Sequence, residues 1–282
     1  VAELRRLGDV KAGHQFARVD VEGFGEARGR ARAFRPPSIV NVSGMSFGSL
    51  SGPAVQAINR GCLAAHCLQS TGEGGVSRHH LHGGELIWQV GTGYFGCREL
   101  DGRFSLSRLQ ALVEAHPQIR AIEIKLSQGA KPGLGGVLPR QKITPEIAAI
   151  RGIPTDRDCV SPAAHTAFSD VDSLLDVVES IAEATGRPVG IKSAVGQLGF
   201  WQDLARQCAT SGRSVDFVTI DGGEGGTGAA PLVFVDHVGL PFKVGFDRVR
   251  GVFREQGLAD RVAFIGSGKL GFPDTAFMVF AL

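Results

Sequence analysis

The sequence predicts an α/β fold of the TIM (β/α)8 barrel type that stops before its eighth strand. Seven apolar segments rich in β-forming residues recur along the 282 residues, and most are followed by a helical pattern. Each segment ends in glycines or polar residues, and TIM barrels carry their sites at the carboxyl ends of their strands. A doubly wound sheet is the alternative, but its helices would be joined by more regular connections.

The predicted strands and helices follow one another along the chain. The strands are expected at 38–43, 67–70, 86–90, 121–125, 189–192, 216–220 and 262–265. The helices are expected at 51–61, 106–115, from Thr144-Pro145, at 172–185, at 200–211 and after the seventh strand. Ser169 or Asp170 stands where the cap of the helix at 172–185 is expected.

The two ends of the chain differ from the rest. Residues 1–35 are polar and rich in arginine without a clear period, which predicts an N-terminal arm ahead of a barrel at 36–282. The chain begins with Val1 rather than Met and stops within an apolar helical run at Leu282. We therefore expect a fragment whose eighth strand lies beyond its end.

Composition indicates a globular protein and excludes several classes of partner. The hydrophobic fraction is 43%, and 30 basic and 28 acidic residues give a net charge of +2, so nothing suggests nucleic acid or a membrane surface. No run of 18 apolar residues and no signal peptide are present. The five cysteines lack C-x-x-C spacing, which predicts neither a zinc site nor a disulfide framework and favours a reducing cytoplasm.

Cations cluster around the fourth strand and the long excursion at 127–170 that follows it. Glu123 and Lys125 point to the same face of a strand, where charges are costly unless a site uses them. Lys131 and Arg151 follow in the excursion, and loops of that length are usually functional. These cations suit an anionic small molecule, most simply a carboxylate. The alternative is that Lys131 and Arg151 are solvated and Lys125 pairs with Glu123.

Several other side chains are candidates for chemistry. Glu73 lies between glycines at the end of the second strand, where it suits proton handling or the binding of an ammonium group; a solvated loop carboxylate is the alternative. His79, His80 and His82 predict a polar loop, because no carboxylate or cysteine completes a metal set at ligand spacing. His165 is a candidate lid residue without an assigned role.

Two glycine-rich loops follow the sixth and seventh strands. Asp221-Gly-Gly-Glu-Gly-Gly-Thr-Gly228 places five glycines in seven positions, which lets the backbone lie against a flat or phosphorylated ligand; a flexible linker is the alternative. Gly266-Ser-Gly-Lys269 stands where TIM barrels commonly hold a phosphate through backbone N–H groups, although a plain turn is also open.

Together these motifs resemble the FMN-binding domain of glutamate synthase, and more closely the stand-alone FMN-binding glutamate synthase family. The resemblance covers roughly residues 36–282. It rests on Gly44-Met-Ser-Phe-Gly-Ser-Leu-Ser51, Thr71-Gly-Glu-Gly-Gly75, residues 125–139, Ile147-Ala-Ala-Ile-Arg-Gly152, Ser161-Pro162, Gly190-Ile-Lys192, Asp221 to Pro231 and Gly266-Ser-Gly-Lys269.

The resemblance implies a TIM barrel that binds FMN and reduces 2-iminoglutarate, formed from 2-oxoglutarate and ammonia, to glutamate. It implies catalytic roles for Glu73 and Lys125 and substrate binding by Ser46, Lys131 and Arg151. Lys192 would neutralise the reduced flavin, unless it pairs with Glu123 or Glu73 instead. The other implied flavin-binding residues are Met45, Thr71, Gly223, Gly226, Gly266, Ser267 and Gly268.

Three departures from the family's pattern bear on function. The family's Lys-Pro-Gly-Glu-Gly-Gly-Gln is here Lys131-Pro-Gly-Leu-Gly-Gly-Val137, so the glutamine that helps to bind 2-oxoglutarate is replaced by Val137. A glutaminase domain with its nucleophilic cysteine is not expected ahead of the barrel, so ammonia is expected to come free or from a partner. The cysteines that ligate a 3Fe–4S cluster in the family fall beyond the end of this chain, and none of the five present matches them.

Partners and rival functions follow from the same resemblance. The implied electron donor is ferredoxin or an NAD(P)H-linked subunit, and a homo-oligomer is open. A variant of the function would make N-methylglutamate from methylamine, and an assay with either amine would separate the two. Two alternative functions come from other classes. One is a flavin isomerase without net redox chemistry, and the other is an inactive partner subunit without stoichiometric FMN.

Overall fold

Six parallel strands form one curled sheet in the computed structural model, which describes residues 23–225, 230–272, 274 and 278–279. The strand order is β1-β2-β3-β6-β7-β8, with bounds Gln69–Ser70, Leu86–Val90, Ile119–Lys125, Val189–Ala194, Phe217–Asp221 and Ala263–Ser267. At its carboxyl end β8 approaches the opposite edge of the sheet, since the hydroxyls of Ser267 and Ser43 lie 3.5 Å apart. The curl is consistent with a TIM-barrel-like fold.

Six of the seven predicted strands form in this sheet, and the first does not. Segment 38–43 contributes one isolated parallel bridge, between Val42 and Gln69. The Ser38 hydroxyl instead donates to Val40 O at 2.8 Å, and Asn41 Nδ2 donates to Ser38 O at 3.2 Å. Such local side-chain bonds compete with a strand's ladder, which explains why the prediction of a regular strand is wrong here.

The long excursion forms a small antiparallel pair and a short helix. Strands β4 (Val137–Leu138) and β5 (Cys159–Val160) pair with each other, and α3 (Pro145–Arg151) lies between them. Thr144 caps this helix by accepting from Ile147 N at 3.2 Å, as the Thr144-Pro145 signal predicts. The excursion is therefore an ordered layer over the carboxyl ends of the strands.

The other helices lie outside the sheet, and all but α6 bury an apolar face. Their bounds are Gly52–Ala65 (α1), Leu106–Ala115 (α2), Val171–Thr185 (α4), Gly199–Thr210 (α5), Leu232–His237 (α6) and Phe242–Glu255 (α7). Asp170 caps α4, accepting from Ser173 N at 2.8 Å. Helices α6 and α7 were not expected from the sequence. Gly245 and Gly251 lower the helix propensity of α7, but the helix forms because it buries Phe246 and Phe253.

The described end of the predicted N-terminal arm packs beneath the sheet. Phe24 and Phe34 exchange backbone hydrogen bonds at 2.8 and 3.1 Å, and the Phe24 ring stacks on Phe217 at 4.8 Å inside the curl. Arg30 Nε donates to both carboxylate oxygens of Asp216 at 3.0 Å. The amino ends of the strands are thus closed by residues 24–34, which leaves the carboxyl ends as the open side. The helices of the described part include none with the length and apolar character that a membrane crossing requires.

Candidate active site

Cationic side chains gather at the carboxyl ends of β3 and β6. Lys125 ends β3, and its register partner in β6 is Lys192. Glu123 lies on the same face as Lys125, where its carboxylate accepts from Gln89 Nε2 and from Thr219 Oγ1, both at 2.6 Å. Because these neutral donors occupy Glu123, the pairing of Lys125 with Glu123 that the sequence left open does not form.

Glu73 is the carboxylate that faces Lys125. Its Oε1 lies 3.4 Å from Lys125 Nζ, which also donates to Gln128 Oε1 at 3.0 Å. Glycines surround the carboxylate: a Cβ at Gly91 would lie 2.6 Å from Oε2, and one at Gly136 would lie 3.1 Å from Oε1. Burial lowers the pKa of Lys125, and the charge of Glu73 opposes that change. The pair therefore joins a carboxylate to an ammonium that releases its proton more readily than usual.

Arg151 ends α3 and is buried. Its Nη2 donates to Phe47 O at 3.2 Å, and its guanidinium lies 4.9 Å from the centre of the Phe95 ring. Nε has no hydrogen-bond partner, and no carboxylate within 23–225 or 230–272 forms an ion pair with this side chain. Burial lowers its pKa, and the adjacent Cys159 and the charge of Glu73 oppose that change. A buried guanidinium without an ion-pair partner is costly unless a ligand supplies the anion.

Ser46 lies between Arg151 and the glycine-rich segment that carries Glu73. A Cβ at Gly74 would lie 2.9 Å from Ser46 Cβ and 3.0 Å from Arg151 Nη2. The Ser46 hydroxyl is 2.9 Å from that of Ser49, with which it shares a hydrogen bond. The fold thus brings Ser46, Arg151 and Glu73 to one place, although they are distant in sequence.

Lys131 lies in a loop that packs against the glycine loop after β7. Gly129 N donates to Asp221 Oδ2 at 2.8 Å. A Cβ at Gly129 would lie 1.8 Å from Gly222 O, so only glycine fits there in this arrangement. Lys131 is half-buried, and its charge adds to burial in lowering the pKa of Lys125, which places the two ammonium groups on the same side of the site.

Asp221 lies among these candidate side chains, although no role was predicted for it from the sequence. It is buried at the end of β7, where Oδ1 accepts from Ser267 Oγ at 2.8 Å and Oδ2 lies 3.8 Å from Lys192 Nζ. Lys192 therefore pairs with Asp221 and not with Glu123 or Glu73. A carboxylate that ends a buried strand directly before a glycine-rich loop is the sequence signal that could have identified it.

The predicted cofactor glycines lie in the loops after β7 and β8. Gly223 is buried, and Gly268 has a φ of +137°, a value that residues with a side chain rarely adopt. A Cβ added at Gly266 would point toward α7 and lie 2.6 Å from Phe242 Cζ. Any ligand contact from Gly266 would therefore come from its backbone. Gly226 lies outside the described residues.

The predicted flavin contacts Met45 and Thr71 lie beside β1. The Thr71 hydroxyl accepts from Gln89 N at 3.1 Å, which holds this residue against β2. The next hydroxyl, that of Ser70, is buried and has no hydrogen-bond partner in the part of the chain that the structure describes. A Cβ at Gly44, the residue before Met45, would lie 3.1 Å from it. This unpaired hydroxyl suits a bound group that offers a hydrogen bond.

The residues present fit FMN. Glycine backbone at two neighbouring strand ends suits a phosphate, and Lys192 places a buried cation inside the curl of the sheet. The unpaired Ser70 hydroxyl adds a polar contact on the opposite side, at β1. These features match the three parts of FMN: its phosphate, the polar edge of its ring, and the negative charge that the ring gains on reduction.

The histidine-rich segment is part of the scaffold. His80 is fully buried, its Nδ1 accepts from Ser77 N at 3.1 Å, and burial lowers its pKa to about 4. His79 Nε2 lies 3.3 Å from Glu146 Oε1. In the described ranges no group of three or more His, Cys, Asp or Glu side chains could hold a metal ion, and the five cysteines are free.

The segment 131–137 departs from the family's motif at two positions, Leu134 and Val137, which lie in different surroundings. Leu134 lines a small cleft that is also lined by Glu73 and Lys125. Val137 is 62% exposed and pairs with Val160 across the β4–β5 ladder. In this arrangement the residue at 137 points away from the cleft, so the departure that lies closest to the chemistry is Leu134.

Comparison with known proteins agrees with these observations. The family model described as the conserved region in glutamate synthase matches residues 29–282. The glutamate synthase large subunit-like protein YerD of Bacillus subtilis is 37% identical over 265 residues, which are 93% of this chain and 50% of that protein. The archaeal glutamate synthase (NADPH) of Methanocaldococcus jannaschii is 34% identical over 276 residues, 95% of this chain and 51% of that protein.

A third relative, the archaeal-type glutamate synthase (NADPH) of Thermotoga neapolitana, is 33% identical over 267 residues, 92% of this chain and 49% of that protein. The chain spans about half the length of the curated relatives it matches. On the match to the conserved region and to these relatives, the chain belongs to the glutamate synthase family.

Proposed function

We propose that this protein is an FMN-dependent oxidoreductase of the glutamate synthase type, which reduces 2-iminoglutarate to glutamate. The observation that carries the proposal is the buried Arg151, which forms no ion pair in the described residues and lies near Glu73, the carboxylate that faces Lys125. A site with spare cations and one carboxylate suits an anionic substrate that must also exchange a proton.

Arg151 and Lys131 would bind the two carboxylates of 2-oxoglutarate. A guanidinium can donate two parallel hydrogen bonds to one carboxylate, and the free Nε of Arg151 leaves it able to do so. Lys131 lies in the loop over the strand ends and would supply the second charge. Ser46, which lies against the same glycine segment as Arg151, would add a hydroxyl donor.

Lys125 and Glu73 would handle the reacting carbon and its protons. Ammonia adds to the oxo carbon and water leaves, so that an imine forms; its carbon then accepts a hydride and its nitrogen accepts a proton. Lys125 Nζ, whose pKa burial lowers, would polarise the oxo group and supply a proton. Glu73 Oε1, at 3.4 Å from Lys125 Nζ, would hold ammonia and return protons to the lysine.

FMN, when bound, supplies the hydride that the imine carbon accepts. Lys192 would lie beside the ring, and Met45 and Thr71 would contact it from the β1 side. The phosphate and ribityl chain would lie against the loops after β7 and β8, through Gly223, Gly226, Gly266, Ser267 and Gly268. A 3Fe–4S cluster would take its cysteines from outside this chain, because the five present are dispersed and free.

The electron donor and nitrogen source belong to the same proposal. Two of the relatives are named glutamate synthase (NADPH), which supports an NAD(P)H-linked donor here, with ferredoxin as the other option. Ammonia would arrive free or from a partner subunit.

Anaerobic visible spectroscopy of the full protein tests the proposal. Oxidised-flavin bands should be present in the purified protein, vanish on chemical reduction, and return when 2-oxoglutarate and ammonia are added together. Either compound alone should leave the flavin reduced, which is the control. A flavin that stays reduced with both compounds would exclude this substrate, and a protein without flavin would refute the proposal as a whole.

A further inference from the structure

A tyrosine and a histidine form a hydrogen-bonded brace behind the candidate catalytic lysine. Tyr94 follows β2 with a φ of +50°, which is unusual for a residue with a side chain, and its ring is buried. Its hydroxyl oxygen accepts from Thr166 N at 2.9 Å and from Ala167 N at 3.0 Å. The same oxygen lies 3.1 Å from His165 Nδ1.

The geometry settles which nitrogen of His165 carries a proton. A phenol oxygen accepts at two positions, and two backbone N–H groups occupy both. The Tyr94 hydroxyl must therefore donate its proton to His165 Nδ1, which leaves the ring proton on Nε2. Burial lowers the pKa of His165, which agrees with a neutral ring.

His165 Nε2 then donates to the carbonyl oxygen of Lys125 at 2.9 Å. On the other side of the same peptide, Leu126 N donates to Lys192 O at 2.8 Å. The last peptide of β3 is thus held from both directions. A peptide held in this way sets the direction in which the Lys125 side chain leaves the strand, and hence its distance from Glu73.

We propose that His165 is a positioning residue that holds Lys125 in register with Glu73, and that Tyr94 holds His165 in the tautomer this requires. The inference rests on the proposed function for the role of Lys125, but the brace itself is a property of the chain. The ring of His165 also stacks on that of Phe168, with 4.7 Å between the ring centres, so the loop after β5 packs on the same histidine.

Three variants separate positioning from mere support of the fold. His165→Ala removes the donor to Lys125 O. His165→Gln keeps an N–H donor the same number of bonds from Cβ as Nε2, so it should rescue the effect. Tyr94→Phe removes the hydroxyl that holds the histidine. His237→Ala, which changes an exposed histidine, is the matched control.

The first readout is steady-state kinetics with 2-oxoglutarate and ammonia. We expect kcat/KM to fall between roughly tenfold and a hundredfold in His165→Ala and in Tyr94→Phe, because a small displacement of a catalytic group has effects of that size. His165→Gln should recover most of the loss, and His237→Ala should match the wild type. An equal loss in the Gln and Ala variants would overturn the proposal.

The second readout does not depend on the reaction. Acylation of Lys125 is followed by mass spectrometry, with the exposed Lys142 of the same molecule as internal reference. The Lys125 rate relative to Lys142 should change several-fold in His165→Ala and return in His165→Gln. Unchanged labelling of Lys125 in both His165→Ala and Tyr94→Phe would refute the brace. If labelling changes as expected while the wild type makes no glutamate, the proposed function fails and the positioning role stands.

Discussion

Replacing Arg151 with methionine should weaken substrate binding without lowering the stability of the protein. The reason is that this guanidinium is buried and, among the residues that the structure describes, makes no ion pair and donates only to Phe47 O. Its charge is therefore an unfavourable contribution to the free energy of folding until a ligand neutralises it. Methionine has a similar length and carries no charge.

The magnitudes follow from those contacts. Removing the arginine leaves Phe47 O without a donor, which costs about 1 kcal/mol. Removing a buried charge that has no ion-pair partner recovers a similar amount, so the free energy of unfolding should change by less than about 1 kcal/mol. Two charge-assisted hydrogen bonds to a substrate carboxylate contribute about 3 kcal/mol together, so the Kd for 2-oxoglutarate should rise roughly a hundredfold.

Arg30 provides a matched control, because it is a largely buried arginine with partners. Its Nη1 donates to Glu179 at 2.6 Å and its Nε contacts both oxygens of the fully buried Asp216. Arg30→Met should lower the free energy of unfolding by about 3–5 kcal/mol, because it strands a buried carboxylate. It should leave the Kd unchanged, because Arg30 lies at the amino ends of the strands.

Urea unfolding and calorimetric titration with 2-oxoglutarate measure both quantities on both variants. The expected pattern is a double dissociation: Arg151→Met affects binding and Arg30→Met affects stability. A loss of stability in Arg151→Met as large as that in Arg30→Met would refute the reasoning, since it would mean that Arg151 has a structural counter-ion. An unchanged Kd in Arg151→Met would remove this arginine from the substrate site.

Three further predictions concern the scaffold of the site. The folded-state pKa of His80, about 4, lies below its ordinary 6.5. The free energy of unfolding should therefore be at its full value above pH 6.5 and fall by about 3 kcal/mol towards pH 4. In urea unfolding, His80→Asn, which retains an acceptor for Ser77 N, should lack this contribution to the pH dependence of stability. Gly129→Ala should weaken 2-oxoglutarate binding, because its Cβ would meet Gly222 O at 1.8 Å, whereas Gly196→Ala, with open space around its Cβ, should match the wild type in the same titration. Asp221→Asn should lower stability by up to about 3 kcal/mol by leaving Lys192 unpaired; in urea unfolding, Lys192→Met should restore part of that loss if the ion pair is the cause.

The strands and helices that the sequence predicted well are those with strong local signals. Strand 86–90 is an apolar run interrupted only by Gln89 and forms with those bounds, and Asp170 caps its helix as expected. Segment 38–43 has a strand-like composition, but its serine and asparagine bond locally. Helix α7 fails in the opposite direction: its glycines lower the local helix propensity, but packing against β7 and β8 stabilises the helix. Both failures arise where side-chain contacts override local preference.

For the candidate site, too, some features follow from local sequence and others depend on contacts between distant residues. Residue type and position selected Glu73 and Lys125 at strand ends and Arg151 in the excursion. The fold brings these three candidates together, and their roles stay predictions. Which partner each charge takes was beyond local reasoning, since Lys125 meets Glu73 from 52 positions away, counted from 73 to 125. Asp221 was missed for the same reason: its role comes from three contacts with other strands and loops, none adjacent in sequence.

The closure beneath the strands sets an order for folding during synthesis. Arg30 and Asp216 are 186 residues apart, so their ion pair cannot form until β7 has left the ribosome. At translation rates of 5–20 residues per second that interval is roughly ten to forty seconds, during which Phe24 lacks the Phe217 ring on which it stacks. Residues 24–30 are thus among the last to complete their native contacts, and until β7 is made the Phe24 ring is exposed to chaperones and to neighbouring nascent chains.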